Sequence, residues 1–192
     1  SEPVTITTEP LPDDFPPLRV ETSEPTRMEP GVTIFATYRW PDGGTIDQSS
    51  GLILVMDARG QVVWYYVAEH SIGDVIQLRS GNFLYTTGVD GVRARLVEID
   101  VFGEIVQSWH SRSLADAGLD NSILVDVDSF HHEIAELPSG DFLTFTSEVR
   151  TFDDYPSSAD DPDAPRVTQE IVGDVIIEVA RDGTVVRDTH LL

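Results

Sequence analysis

The sequence contains no cysteine and no lysine, and it has no long uninterrupted apolar run. The absence of cysteine excludes disulfides, thiolate nucleophiles and zinc-thiolate sites. No apolar stretch reaches the roughly 20 residues that a helix needs to cross a bilayer. The 12 basic residues, all arginine, stand against 34 acidic residues, and the formal net charge is -22. Such a chain repels nucleic acids and anionic lipid surfaces, which we therefore exclude as partners.

Proline is concentrated at the start of the chain. Seven of the 12 prolines fall within residues 1–31. Proline blocks helices and cannot donate a hydrogen bond to a sheet, so we predict an extended proline-rich N-terminal arm over residues 1–31 that lies on a larger body. The length of 192 residues suits one ordinary domain or an incomplete large one. We predict that residues 32–192 form this domain and that the arm precedes it.

Runs of β-branched and aromatic residues begin at Val32. Residues 52–56 and 62–66 are joined by the short loop Asp57-Ala58-Arg59-Gly60, which predicts a β-hairpin. The same unit recurs at residues 97–106 and 177–186. The turn glycines align without a gap: Gly60, Gly103 and Gly183.

A second unit repeats between the copies of the first. Residues 74–84 match residues 133–143, and the two units alternate along the chain. Four strands therefore make one module, over residues 74–109 and 132–189, with a partial module at 32–66. Repeated four-stranded modules of this kind are typical of a β-propeller. We predict an all-β fold: a partial β-propeller of about two and a half four-stranded antiparallel blades. A β-sandwich explains one such repeat but not two interleaved repeats in register.

Propellers have about 4 to 8 blades, so this chain supplies too few to close a ring. An open ring leaves sheet faces and strand edges in water. We therefore expect the remaining blades to come from a second polypeptide, from a downstream segment separated by cleavage, or from another copy of this chain in a homo-oligomer. The sequence being part of a longer protein is the simpler alternative.

Two acidic segments interrupt the modules, and we predict that both are loops. Residues 110–128 and 147–170 contain nine aspartates between them: Asp116, Asp120, Asp126, Asp128, Asp153, Asp154, Asp160, Asp161 and Asp163. Clustered carboxylates bind calcium in some proteins, but this spacing matches no EF-hand loop. We interpret the segments as solvated acidic loops and predict no metal site.

The only adjacent histidines stand at the start of the second repeat unit. If residues 131–137 form a regular inner strand, His131 and His132 point to opposite faces and cannot reach the same ligand. The equivalent residues of the preceding module are Ile72 and Gly73, so the histidines depart from the repeat, and such departures often mark function. The structural alternative is that one histidine caps a buried carbonyl while the other faces solvent. The remaining histidines we interpret as structural or exposed: His70, His110 and His190.

A resemblance to a known family runs through several of these segments. It is carried, in order, by residues 27–35, Gly60 to Tyr66, Glu98-Ile99-Asp100, Phe130 to Ile134, and Leu137-Pro138-Ser139-Gly140. Together they resemble the bacterial arylsulfotransferase family over most of residues 16–190. The resemblance implies a six-bladed propeller, export to the periplasm or outside, and transfer of a sulfuryl group from an aryl sulfate to a phenol. It also implies a sulfated histidine intermediate and no nucleotide cofactor.

The resemblance further implies that His132 is catalytic, in contact with the sulfuryl group, and that His131 binds the substrate. The nucleophilic histidine of the family belongs to later blades, and no matching motif occurs here. We do not assign that role to His190, so we expect this chain alone to be inactive. Two alternatives stay open: a non-catalytic propeller that binds calcium or a partner through its acidic loops, and a structural subunit of an extracellular assembly.

Overall fold

The computed structural model describes residue 11 and residues 15–39, 50–89, 92–119 and 121–192. This part of the chain contains 12 strands in three sheets. The first sheet has the strands β1 (Thr33–Arg39), β2 (Ser50–Met56) and β3 (Val62–Ala68). The second has β4 (Ile72–Gln77), β5 (Phe83–Val89), β6 (Val92–Ile99), β7 (Ile105–Ser111) and β8 (Ser122–Val125). The third has β9 (His131–Glu136), β10 (Phe142–Pro156), β11 (Arg166–Val179) and β12 (Val185–His190).

The strands follow chain order within each sheet and pair antiparallel, except that β8 pairs parallel to β7. The all-β prediction is therefore confirmed. Each predicted glycine turn is present: Gly60, for example, has a φ of 76° and donates its N–H to the Asp57 carbonyl at 2.9 Å. Glycine suits this position because a left-handed conformation costs it nothing. The Asp57 carboxylate also accepts the N–H groups of Arg59 and Gln61, which fixes the turn.

The three sheets stack face to face around two cores. One core lies between the first and second sheets, and the other lies between the second and third. Strand β6 contributes to both cores, because Val97 and Ile99 pack towards the first sheet while Leu96, which precedes Val97 and points to the opposite face, packs towards the third. The inner strand β4 contacts β1 on one side and β9 on the other. The described sheets do not close into a ring, so the number of blades stays a prediction.

A tryptophan contact repeats at both sheet interfaces. Trp64 on β3 donates its indole N–H to the Val101 carbonyl at 2.8 Å, and Trp109 on β7 donates to the Arg181 carbonyl at 3.0 Å. Val101 and Arg181 occupy the same place in their respective hairpin turns, one residue after Asp100 and Ala180. The outer strand of one sheet therefore holds the turn of the next sheet by the same hydrogen bond.

The described part of the N-terminal segment lies on the first sheet. Phe15 packs edge-on against Tyr65, with ring centroids 5.4 Å apart, and Ser23 donates to the Ala58 carbonyl at 2.8 Å. A single 3-10 turn covers Pro25–Arg27. Residues 1–10 and 12–14 of the predicted arm lie outside the described residues.

The prediction of a loop at residues 147–170 is wrong. Strand β10 continues to Pro156 and β11 begins at Arg166, so most of this segment is a two-stranded ribbon. Cross-strand pairs such as Val149 with Val172 form the ribbon, and Asp153 and Asp154 fall where the register shifts after Phe152. These two aspartates, which contributed to the loop prediction, therefore lie in a bulge of β10. In the other acidic segment, Ser122–Val125 form β8, while Asp120 lies outside the described residues.

Candidate functional site

Histidines gather at one end of the three sheets. This end, here called the histidine end, is where β3, β7 and β12 finish and where β4 and β9 begin, opposite the glycine turns. Its histidines are His70, His110, His131, His132 and His190. Their positions follow from the topology, because each sheet starts at the end at which the preceding one stops.

The backbone at His132 is irregular. Ala135 pairs with Leu143 and His131 pairs with Phe145, so residues 132–134 of β9 face only Thr144 of β10. His132 has a φ of 57°, a left-handed conformation in which histidine occurs more often than most residues. The strand is therefore bulged at this point, and side chains no longer alternate regularly between its faces.

This bulge overturns the prediction that the two histidines face apart. Their ring centroids lie 4.9 Å apart, at an interplanar angle of 83°. Both rings also approach Phe145, at 6.0 Å for His131 and 6.1 Å for His132. The two imidazoles therefore form one cluster with the Phe145 ring.

The two histidines differ in how they are held. The side chain of His131 is 14% exposed, its Nε2 lies 3.1 Å from the Ser147 hydroxyl, and it lies 3.8 Å from the Asp174 carboxylate. Its ring stacks on Phe145 with an interplanar angle of 26°. His132 is exposed, so its imidazole faces solvent beside the anchored one. The cluster thus pairs an oriented imidazole with an accessible one.

Strand β9 is fixed by the core beneath it. Phe130 and Ile134, on either side of the bulge, are buried between the second and third sheets. The Ile134 N–H also donates to the Asp74 carboxylate of β4 at 2.9 Å. These contacts hold both ends of the irregular segment, which is how a strained backbone persists.

A second polar feature is a cleft of about 660 Å³ between β8 and the third sheet, which extends from the Gly183 turn to His190 at the histidine end. Within it, His190 Nδ1 lies 2.8 Å from the Glu148 carboxylate, which also pairs with Arg150. Burial alone raises the pKa of Glu148, but the hydrogen bonds from His190 and Arg150 outweigh it and hold the pKa below its usual value. Gly173 lies opposite Glu148 on β11, and its missing side chain leaves room for the side chain of Leu192.

Buried His110 has a different environment. Its Nδ1 lies 3.0 Å from the Ser122 hydroxyl, and its side chain is shielded from water. Burial and the nearby Arg95 charge lower the pKa of His110. This histidine is therefore structural.

The residues that surround His131 carry no recognisable sequence signal. Ser147 is the first residue of the acidic segment that we predicted as a loop, whereas Asp174 lies after its end. Both meet His131 only because β10 and β11 pair with the observed register. The sequence showed that the two histidines depart from the repeat, but it did not predict that Ser147 and Asp174 lie beside His131.

No metal centre is found in the part of the chain that the structure describes, where no group of three or more histidine, aspartate or glutamate side chains is arranged to hold an ion. At the ribbon, Asp154 pairs with Arg166 at 2.9 Å rather than with other carboxylates. Within the described ranges, no helix is both long enough and apolar enough to cross a membrane.

Comparison with known proteins identifies the family of the chain. The family model described as arylsulfotransferase (ASST) matches residues 19–192, and the chain belongs to this family. Among solved structures, it is similar to a protein of unknown function from Bacteroides caccae, with 13% identity and a TM-score of 0.36. That similarity covers 85% of this chain and 69% of the other. No curated protein matches.

Proposed function

We propose that this chain is the N-terminal portion of an arylsulfotransferase-like enzyme, in which His132 is catalytic and His131 binds the substrate. The enzyme transfers a sulfuryl group between phenolic compounds without a cofactor. Membership of the family supports the reaction class. The observation that carries the site assignment is the pairing of the anchored His131 ring with the exposed His132 ring, 4.9 Å apart.

Sulfuryl transfer requires groups that bind a charged sulfuryl oxygen and that donate or accept a phenolic proton. In the first step, a histidine nitrogen attacks sulfur, the bond from sulfur to the aryl oxygen breaks, and the aryl oxygen leaves with the electron pair. The oxygen of an acceptor phenol then attacks the sulfur, the nitrogen–sulfur bond breaks to restore the histidine, and the phenol loses its proton. An imidazole performs both supporting roles near neutral pH, since it donates to oxyanions and shuttles protons. We assign these roles to His132, with His131 orienting the sulfuryl group.

The family's nucleophilic histidine belongs to later blades, and no matching motif occurs in residues 1–192. We therefore expect these residues alone to be inactive. The complete propeller would be periplasmic or extracellular, in line with the family.

The charge of the chain opposes substrate binding at long range. A net charge of -22 repels an anionic aryl sulfate. Salt limits this repulsion to about 10 Å at 0.1 M, so most of the charge of the chain is screened from an anion that reaches the two imidazoles. Association should therefore become faster as the ionic strength rises.

The test is sulfuryl transfer from 4-nitrophenyl sulfate to phenol by the complete assembly. His132→Asn preserves a residue that tolerates the left-handed backbone but removes the imidazole, and we expect a loss of about 100-fold or more in kcat/KM. His131→Asn should mainly raise KM. His70→Asn, at the same end of the sheets, is the matched control and should leave both constants unchanged.

Two results would reject the assignment. One is the absence of transfer by an assembly that is intact by mass, which favours the non-catalytic scaffold. The other is full activity in His132→Asn. A melting temperature that rises with calcium would instead favour the calcium-binding alternative.

A further inference from the structure

Two serine hydroxyls lead from the start of β9 to the ring of His131. The Ser129 hydroxyl donates to the Ser147 hydroxyl at 3.3 Å, and the Ser147 hydroxyl lies 3.1 Å from Nε2 of His131. The proton of a neutral imidazole lies on the nitrogen that is not accepting a hydrogen bond. The direction of the bond between Ser147 and His131 therefore decides which tautomer His131 adopts.

The capacity of the Ser147 hydroxyl determines that direction. A hydroxyl has one proton to donate and two lone pairs that accept. Ser129 occupies one lone pair, and within the described residues the remaining hydrogen bond of Ser147 is the one to Nε2 of His131. If Nε2 carried the proton, the Ser147 proton would have no acceptor among these residues, which is unfavourable for a half-buried group. Ser147 therefore donates and Nε2 accepts.

Ser129 is held in the position from which it donates. Its N–H donates to the Thr146 hydroxyl at 3.2 Å, so both its backbone and its side chain bond to side chains of β10. The next residue, Phe130, is 0% exposed in the core between the second and third sheets. The two hydroxyls are thus anchored by β10 and by the core.

Asp174 does not compete with Ser147 for the neutral ring. Its carboxylate lies 3.8 Å from Nε2, beyond hydrogen-bond distance, and its side chain is 49% exposed. Such a carboxylate attracts a protonated imidazole, but its effect on a neutral ring is weak. The hydrogen bond from Ser147 therefore selects the neutral tautomer.

We propose that Ser147, held by Ser129, is a positioning residue that fixes neutral His131 as the tautomer with its proton on Nδ1. The inference rests on the proposed function and adds the means by which His131 binds the substrate. A ring whose Nε2 accepts from Ser147 is a hydrogen-bond donor through Nδ1–H, which is the character that an anionic sulfuryl oxygen requires. The phenolic proton is then left to the exposed imidazole of His132.

The test is the tautomer of His131, measured by NMR from the ring nitrogen resonances of the 192-residue chain at about pH 8, where an ordinary imidazole is neutral. We expect Nε2 of His131 to have the resonance of an accepting nitrogen and Nδ1 that of a protonated one. The exposed ring of His132 is the internal reference, because a solvated neutral imidazole side chain favours the proton on Nε2.

Three variants separate the role of Ser147 from a general effect on the fold. Ser147→Ala removes the donor, so the proton of His131 should move to Nε2. Ser147→Thr keeps a hydroxyl at the same strand position and should restore the wild-type tautomer. Asp174→Asn is the matched control and should leave the tautomer unchanged. A proton on Nε2 of His131 in the wild type, or the same tautomer in the wild type and Ser147→Ala, would overturn the proposal.

The complete assembly provides a second readout. Because one hydrogen bond orients the ring, Ser147→Ala should raise KM for 4-nitrophenyl sulfate about fivefold and leave kcat within about twofold, and Ser147→Thr should recover most of the loss. An unaltered KM in Ser147→Ala would contradict a role of the tautomer in binding. Failure of sulfuryl transfer in the wild type would reject the proposed function and leave the tautomer result intact, since that is measured without substrate.

Discussion

Removing the side chain of Arg181 is expected to destabilise the interface between the second and third sheets. The guanidinium contacts the Glu98 carboxylate, whose side chain is 2% exposed, and it lies over the Trp109 and Phe142 rings at 5.2 and 5.0 Å. Arg181→Ala leaves a buried carboxylate with Asn82 as its remaining partner. It also removes both cation–π contacts.

The expected loss of stability follows from the burial of the Glu98 carboxylate. Breaking a fully buried ion pair by removing one partner costs about 3 to 5 kcal/mol. The Arg181 side chain is 43% exposed, so solvent screening reduces this to about 2 kcal/mol. The aromatic contacts add about 0.5 to 1 kcal/mol. A total of about 2 to 3 kcal/mol corresponds to a fall of about 5 to 10 °C in Tm for a chain of this size.

The measurement is thermal and urea unfolding of the wild type and of Arg181→Ala, Glu98→Gln and the double variant. Because Glu98→Gln removes the charge that needs compensation, the double variant should be more stable than Arg181→Ala alone. Arg181→Lys keeps the positive charge and should lose less stability than Arg181→Ala. A loss below about 0.5 kcal/mol in Arg181→Ala, the range of ordinary surface changes, would refute a buried inter-sheet ion pair.

Three further predictions concern single positions. His132→Gly should raise the free energy of unfolding by up to about 1 kcal/mol, because glycine adopts the left-handed backbone without strain. His132→Val should lower it by about 1 to 2 kcal/mol. Equal effects of the two substitutions in urea unfolding would contradict the bulge. Trp109→Phe should lower the free energy of unfolding by about 1 kcal/mol or more, because the hydrogen bond to the Arg181 carbonyl is lost, and Trp64→Phe should lower it by a similar amount. If neither substitution changes the free energy of unfolding, the repeated tryptophan contact does not stabilise the sheet interfaces. The folded pKa of His110 is lowered, so its neutral form stabilises the fold fully above the unfolded pKa near 6.5, and that stability is lost as the pH falls below it. The Tm of His110→Gln should therefore fall less than that of the wild type between about pH 8 and pH 5.5, and parallel curves would contradict this.

The sequence predicted the strands and their grouping because both follow from local patterns. Alternating apolar residues and the aligned turn glycines, such as Gly60 and Gly103, specify hairpins without reference to the rest of the chain. Residues 147–170 could not be interpreted in the same way. Their aspartates and prolines indicated a loop, whereas the ribbon depends on pairs such as Val149 with Val172 that only long-range register brings together.

The candidate site was predictable only in part, for a related reason. The repeat alignment identified His131 and His132 as departures from a pattern, which needs no coordinates. Their mutual orientation depends on one backbone angle, the φ of 57° at His132, and a regular strand would have separated them. Ser147 and Asp174 join the cluster through strand pairing alone.

The most direct test of the account follows the histidine rings of the complete assembly by NMR during a titration with 4-nitrophenyl sulfate. The account predicts that the His132 ring resonances move most, that those of His131 move with them, and that those of His70 and His190 stay in place. Sulfuryl transfer that proceeds while the His132 ring is unperturbed, or a shift confined to His190, would contradict it.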